Sequence, residues 1–181
     1  MKHVITILAE GFEEIEAVTF IDILRRAHIQ VTILGLKSFE IKGAHDIRIR
    51  ADHLLADFKE SYDGIILAGG QPGTTNLIKS PDVLKIVKTA HTKGLLLGAI
   101  CAAPSVLAEA GILDGYKVTC YPGVEERLGN AIFVEEPVVV DRTIITSRGV
   151  GTAINFAIEL VRYLNNDESA DKISKAILFN K

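Results

Sequence analysis

The sequence predicts an α/β fold: a doubly wound, mostly parallel β-sheet with helices on both faces. Short apolar runs of strand length alternate with segments of helical periodicity along almost the whole chain. The strand runs are continuously apolar instead of alternating, which is the pattern of strands covered on both faces. With 181 residues, 48% of them apolar, the chain suits one domain with a sizeable core, taken here as residues 1–181.

Val4–Leu8 reads as the first strand. The segment AEGFEEIEAVTFIDILRRAH follows, with Ile15, Val18, Ile21, Ile23 and Leu24 largely at helical spacing. Val31–Leu34 is a second strand, and Phe39–Arg50 a pair of short strands around Lys42–His45. Gly64–Ala68 is another strand, ending in the loop GGQPGTTN, and Pro81–Lys93 an amphipathic helix. Leu95–Ile100 is a buried strand and Pro104–Ala110 a helix, with proline suited to its first turn. Lys117–Cys120 is a brief strand and Val124–Leu128 one helical turn. Ile132–Val134, Val138–Val140 and Thr143–Thr146 are the last strands. Thr152–Leu164 is a helix capped by Thr152, and Asp167–Leu178 the closing helix. No linker, repeat or low-complexity segment interrupts this order.

A net charge of −3 gives no electrostatic case for nucleic acid or an anionic membrane. No apolar run is long enough to span a bilayer, and the N-terminus reads as a strand, not a signal peptide. Two cysteines without an export signal imply free thiols in a reducing cytoplasm. They are too few for a four-cysteine zinc site, and no histidine pair has ligand spacing. No metal and no cofactor is expected.

In doubly wound folds, sites form where the carboxyl ends of strands meet their loops. Cys101 stands where a strand stops and a helix begins, on a tight turn that lifts its side chain from the sheet. Nearby helix N–H groups favour negative charge, so this reading makes Cys101 acidic and reactive; the alternative is a small buried core residue. In the first loop, Glu13 and Glu14 are explained by the helix dipole. Glu16 falls on the apolar side with Phe12 and Ile23, where a buried carboxyl stays neutral and donates a hydrogen bond to a thiolate. Gly69 and Gly70 let backbone N–H groups approach a ligand or an oxyanion, or simply make a turn; neither a phosphate loop nor a dinucleotide fingerprint is present. Tyr121, in TCYPG, is a hydrogen-bonding or a packing residue, and Cys120 beside it a core residue. Arg148, in SRGVGT, either holds an anionic ligand group or is a solvated charge.

Together the motifs LAEGFEEIEAV, DILRRAHIQVTILGL, YDGIILAGGQPGTTNL, GAICAAPSVLAEAGIL and TSRGVGTAINFAIELV resemble the ThiJ/PfpI superfamily, most closely the branch of the human Parkinson's-disease protein (DJ-one), over essentially the whole chain. The resemblance implies a flavodoxin-like sandwich and a homodimer. It implies the nucleophile at Cys101, its carboxyl partner at Glu16 and oxyanion-binding N–H groups at Gly70 and Ala102. It further implies cofactor-free glyoxalase or deglycase chemistry on small-molecule carbonyl substrates, with a non-catalytic redox sensor or chaperone-like stress protein oxidised at Cys101 as the alternative. Two departures stand out. The protease-like branch has histidine after the nucleophile where this chain has Ala102, which argues against a Cys–His protease. The human-type branch has histidine at the place of Tyr121, and a phenol is a poor base near pH 7. His45 lies in the hairpin that the family uses near its dimer interface, from which it would reach a partner's site. A glutamine amidotransferase also places cysteine on such a turn, but it needs a late histidine, and none follows His91.

Overall fold

The computed structural model describes residues 1–179. The strands are β1 (His3–Leu8), β2 (Gln30–Gly35), β3 (Glu40–Lys42), β4 (Arg48–Arg50), β5 (His53–Leu54), β6 (Gly64–Leu67), β7 (Leu96–Ile100), β8 (Lys117–Val118), β9 (Ile132–Phe133), β10 (Val138–Asp141) and β11 (Ile144–Ser147). The helices are α1 (Glu14–Arg26), α2 (Gly73–Ile78), α3 (Pro81–Thr92), α4 (Pro104–Glu109), α5 (Ala153–Leu164) and α6 (Asp167–Ala176). The main sheet has seven strands in the order β10-β11-β7-β6-β1-β2-β5. Its neighbours pair in parallel except for the antiparallel β10 and β11 at one edge.

Side chains alternate between the two faces at period two. Val4, Leu8 and Ile66 point to the layer of α1, α5 and α6, and Ile5, Ile7, Ile65 and Leu67 to that of α2, α3 and α4. Both faces therefore need apolar residues, which is why the strands read as unbroken apolar runs. Phe20 of α1 and Phe156 of α5 meet edge to face at 6.4 Å in the first layer. Each is fully buried, which contributes roughly 2–3 kcal/mol of transfer free energy per ring. Among the described residues no helix is long and apolar enough to cross a membrane.

Several boundaries differ from the sequence expectation, each for a local reason. The loop after β6 becomes helix α2 from Gly73 onward. The Lys117–Cys120 strand ends at Val118, because the Thr119 N–H donates to the Thr146 side chain at 2.9 Å. Val124–Leu128 contracts to a 3-10 turn over Glu125–Arg127. The closing helix stops at Ala176, and Leu178 turns left-handed with φ 59°. Thr152 precedes α5, but its side chain does not cap it. Its hydroxyl accepts from the Gly149 N–H at 3.1 Å and lies 2.7 Å from the Ser147 hydroxyl, bracing the loop before the helix.

β1 pairs with β2 on one side and β6 on the other, so the chain reverses its winding between β1 and β6. That switch point leaves a crevice beyond the strand ends. The loops after β1, β6, β7 and β11 all open into it.

Candidate active site

Cys101 directly follows β7 and has φ 63°, a left-handed conformation rare for a side chain that is not glycine. The strain persists because both backbone groups are tied down. Its N–H donates to the Ser147 carbonyl at 3.0 Å, and its carbonyl accepts from the Tyr121 N–H at 2.9 Å. The turn projects the half-buried thiol into the crevice.

Glu16 arrives from the first turn of α1 and is fully buried. Its Oε2 accepts the Gly69 N–H at 2.8 Å, while Oε1 has no partner among the described residues. The Gly69 carbonyl in turn accepts the Glu13 N–H at 2.9 Å. Gly69 is where the three loops touch: a Cβ there would lie 2.7 Å from the Cys101 Cβ, 2.9 Å from the Ala102 nitrogen and 3.0 Å from Glu16 Oε2. The expectation that Gly69 binds substrate is therefore replaced by a positioning role, because Glu16 takes its N–H.

Burial pushes the Glu16 carboxyl up to about 7, against the Gly69 N–H and the thiol, which favour its anion. Burial likewise pushes the Cys101 thiol up to about 12, and the adjacent Glu16 carboxylate adds to the rise. The N–H groups of Ala102 and Gly70 face the sulfur and favour its anion without winning. This corrects the expected acidic thiol. α4 has only six residues, too short to present a strong dipole, so two individual N–H groups oppose the loss of water and a neighbouring charge. Burial and mutual repulsion thus both oppose a second negative charge in the pair.

A cavity of about 700 Å³ opens over this pair. Glu13, Glu16, His45, Gly70, Cys101 and Tyr121 line it, along with Arg148 and the turn that follows. Tyr121 is half exposed on the cavity wall and packs against Gly149. Arg148 lies largely buried in the wall, 3.2 Å from the exposed Glu135 carboxylate. The structure thus brings Cys101, Glu16, Gly70, Ala102, Tyr121 and Arg148 together. Cys120 packs in the core on the opposite face of the sheet from the core that Cys101 abuts.

The sequence reading missed Glu14, which it assigned to the helix dipole. Glu14 is buried and holds the β3–β4 hairpin, accepting the His45 N–H at 2.6 Å. His45 consequently lines the cavity of its own chain; it was expected only at a partner's site. No local motif signals a pair 31 positions apart. Glu13, Glu14 and His45 also lie close enough to share a cation, but Glu14 already has three hydrogen-bond donors from the hairpin.

Comparisons with known proteins agree with this architecture. Residues 2–163 match the DJ-1/PfpI family. The Drosophila melanogaster protein dj-1beta is 38% identical over 98% of this chain and 97% of its own length. A Caenorhabditis elegans protein named glutathione-independent glyoxalase DJR-1.2 is 35% identical over 95% of this chain and 93% of its own. The crystal structure of Drosophila melanogaster DJ-1beta superposes with a TM-score of 0.96 at 36% identity, covering 99% of each chain. The chain belongs to the DJ-1/PfpI family, in its DJ-1 branch.

Proposed function

We propose that this chain is a cofactor-independent cysteine enzyme acting on reactive dicarbonyls or their adducts, of glyoxalase or deglycase type. One observation carries the reading: a strained, cavity-facing Cys101 lies among a buried carboxyl and two N–H groups aimed at its sulfur. The glyoxalase name of the nematode relative supports it.

With a 2-oxoaldehyde in the cavity, the Cys101 sulfur attacks the aldehyde carbon. The Glu16 carboxylate takes the thiol proton and passes it to the new alkoxide, so no free thiolate need accumulate. The N–H groups of Gly70 and Ala102 stabilise the negative oxygen while it lasts. Glu16 then removes the hydrogen from C1 and returns it to C2. C1 is oxidised to a thioester and C2 is reduced to a carbinol, so no external oxidant enters. Water releases a 2-hydroxy acid and regenerates the thiol. Arg148 and Tyr121 border the space left for the substrate's remaining end.

The test is lactate formation from methylglyoxal by the wild type and Cys101→Ser side by side. Turnover that survives in Cys101→Ser would sink the nucleophile assignment.

A sensor reading is favoured by the same N–H groups, since sulfinate oxygens accept hydrogen bonds and Cys101 opens to the cavity. It predicts peroxide-driven conversion of Cys101 to sulfinate in a chain without methylglyoxal turnover.

We also propose that the chain works as a homodimer, as its family resemblance implies, in the reducing cytoplasm that its two free cysteines suit. Exposed Ile15, Val18, Ile47, Ile154 and Leu178 line one apolar groove of about 760 Å³, which suits a second copy. Ile15 also lines the Cys101 cavity, so the partner would border its mouth. Light scattering at the monomer mass would remove this assignment.

A further inference from the structure

The hairpin that carries His45 is pinned to the loop after β1. The Gly11 N–H donates to the Lys42 carbonyl at 2.8 Å, and the Ala44 N–H to the Phe12 carbonyl at 2.9 Å. The buried Glu14 carboxylate then fixes the turn, accepting the N–H of His45 at 2.6 Å and of Ile47 at 3.4 Å. Gly43 lies so close that a Cβ would overlap the Glu14 carboxylate. The second Glu14 oxygen lies 3.0 Å from His45 Nδ1. A carboxylate only accepts, so Nδ1 carries the hydrogen and Nε2 is the nitrogen left for other chemistry. The same logic orients histidine in carboxylate–histidine pairs of hydrolases. The His45 side chain is 70% exposed, on the rim of the cavity that holds Cys101.

We propose that His45, oriented by Glu14, is a general acid–base residue of the Cys101 site, serving the substrate oxygens while Glu16 serves the carbons. The proposal rests on the dicarbonyl reading above. That reaction moves a hydrogen from C1 to C2, and each carbon step needs a matching proton move on an oxygen. As Glu16 takes the C1 hydrogen, the His45 imidazolium gives its Nε2 proton to the C2 oxygen, forming a neutral enediol. As the Glu16 carboxylic acid returns a proton to C2, the imidazole takes the proton of the C1 hydroxyl. Both side chains end in their starting states, and one C1–H bond has been exchanged for one C2–H bond. Arg148 cannot fill this role, because a guanidinium does not release its proton.

The charges facing His45 suit the task. The Glu14 carboxylate, then Glu13 with an oxygen 3.6 Å from Nδ1, and Asp46 all raise its pKa above the ordinary value. Asp46 is itself paired with Lys42 of the same hairpin. These charges favour the imidazolium of His45, the acid form that the first proton move uses. Turnover rises with pH as Glu16 ionises and falls as His45 loses its proton.

The experiment uses the full chain, with methylglyoxal as substrate. His45→Gln should lower kcat by about 10²-fold with little change in KM, and should erase the alkaline limb of the kcat profile. Imidazole in the buffer should restore part of the rate to His45→Ala. Glu14→Gln should move the alkaline limb to lower pH. Where that variant folds poorly, NMR titration of the His45 ring in the wild type replaces it, and a midpoint above that of free histidine is expected. A wild-type kcat and alkaline limb in folded His45→Gln, or a His45 midpoint below that of free histidine, would overturn the assignment while leaving the Cys101 chemistry intact. Wild type as inactive as Cys101→Ser would instead remove the dicarbonyl reading, and this inference with it.

Discussion

Cys101 and Cys120 each lie beside a carboxylate, and burial raises both thiols, to about 12 and about 11. Cys120 points at Glu125 from 3.9 Å, as Cys101 faces Glu16. Yet Cys120 is fully buried in the layer under α3 and α4, and its carboxylate is occupied by the Gly123 N–H at 2.6 Å. Cys101 is held at a positive φ, opens to a cavity, and has two N–H groups aimed at its sulfur. Because both thiols are shifted upward, the direction of the shift does not separate a reactive thiol from an inert one here. Access does, together with a base whose second oxygen is free and donors placed where negative charge will develop.

The sharpest way to break this comparison is to exchange the thiols for hydroxyls. Cys101→Ser should cut lactate formation by at least about 10³-fold, whereas Cys120→Ser should stay within about twofold. Equal losses in two folded variants would mean that position on the elbow confers nothing.

The two carboxylates should also differ in what they cost the fold. Glu16 is raised from 4.5 to about 7, so the native state binds more protons than the unfolded state within that window. Stability must fall as pH rises through it, and the deficit above pH 7 is about 3 kcal/mol. Glu16→Gln should recover most of that above pH 7 and little at acidic pH, read by urea unfolding at several pH values. The same variant removes the charge that opposes the thiolate, so iodoacetamide labelling of Cys101 should shift to lower pH while that of Cys120 stays put. A Cys101 profile moving upward instead would mean that Glu16 is protonated in the resting pair.

Gly69 tests whether the Cys101 geometry depends on close approach. Gly69→Ala places a methyl 2.7 Å from the Cys101 Cβ, and the overpacking should cost about 1–3 kcal/mol in thermal unfolding. Turnover should fall more than stability, because the displaced atoms are the reacting ones. The smallest effect concerns Tyr121. Tyr121→His offers a base on the cavity wall, and with His45 already on the rim it should raise kcat by less than about tenfold. A lowered rate in a folded variant would show that the phenol holds the substrate.

Much of this architecture was legible in the residue pattern. Unbroken apolar strands such as Ile65–Leu67 reported burial on both faces, because only a sheet covered twice needs apolar side chains at consecutive positions. Pro104 just after Cys101 marked the strand-to-helix turn, and the apolar setting of Glu16 marked a carboxyl that would be raised. Those signals are local, carried by residues within a few positions of one another. The direction of the Cys101 shift was not local. It depends on how much water three loops exclude and on which charge they bring beside the sulfur, a balance set only when β1, β6 and β7 are side by side. Glu14 gave the same acidic first-turn signal as Glu13, and nothing in the sequence separated a capping carboxylate from one that grips a hairpin. The tertiary structure made that distinction, because a buried carboxylate must find donors and the nearest unpaired ones were the N–H groups of the 43–47 turn.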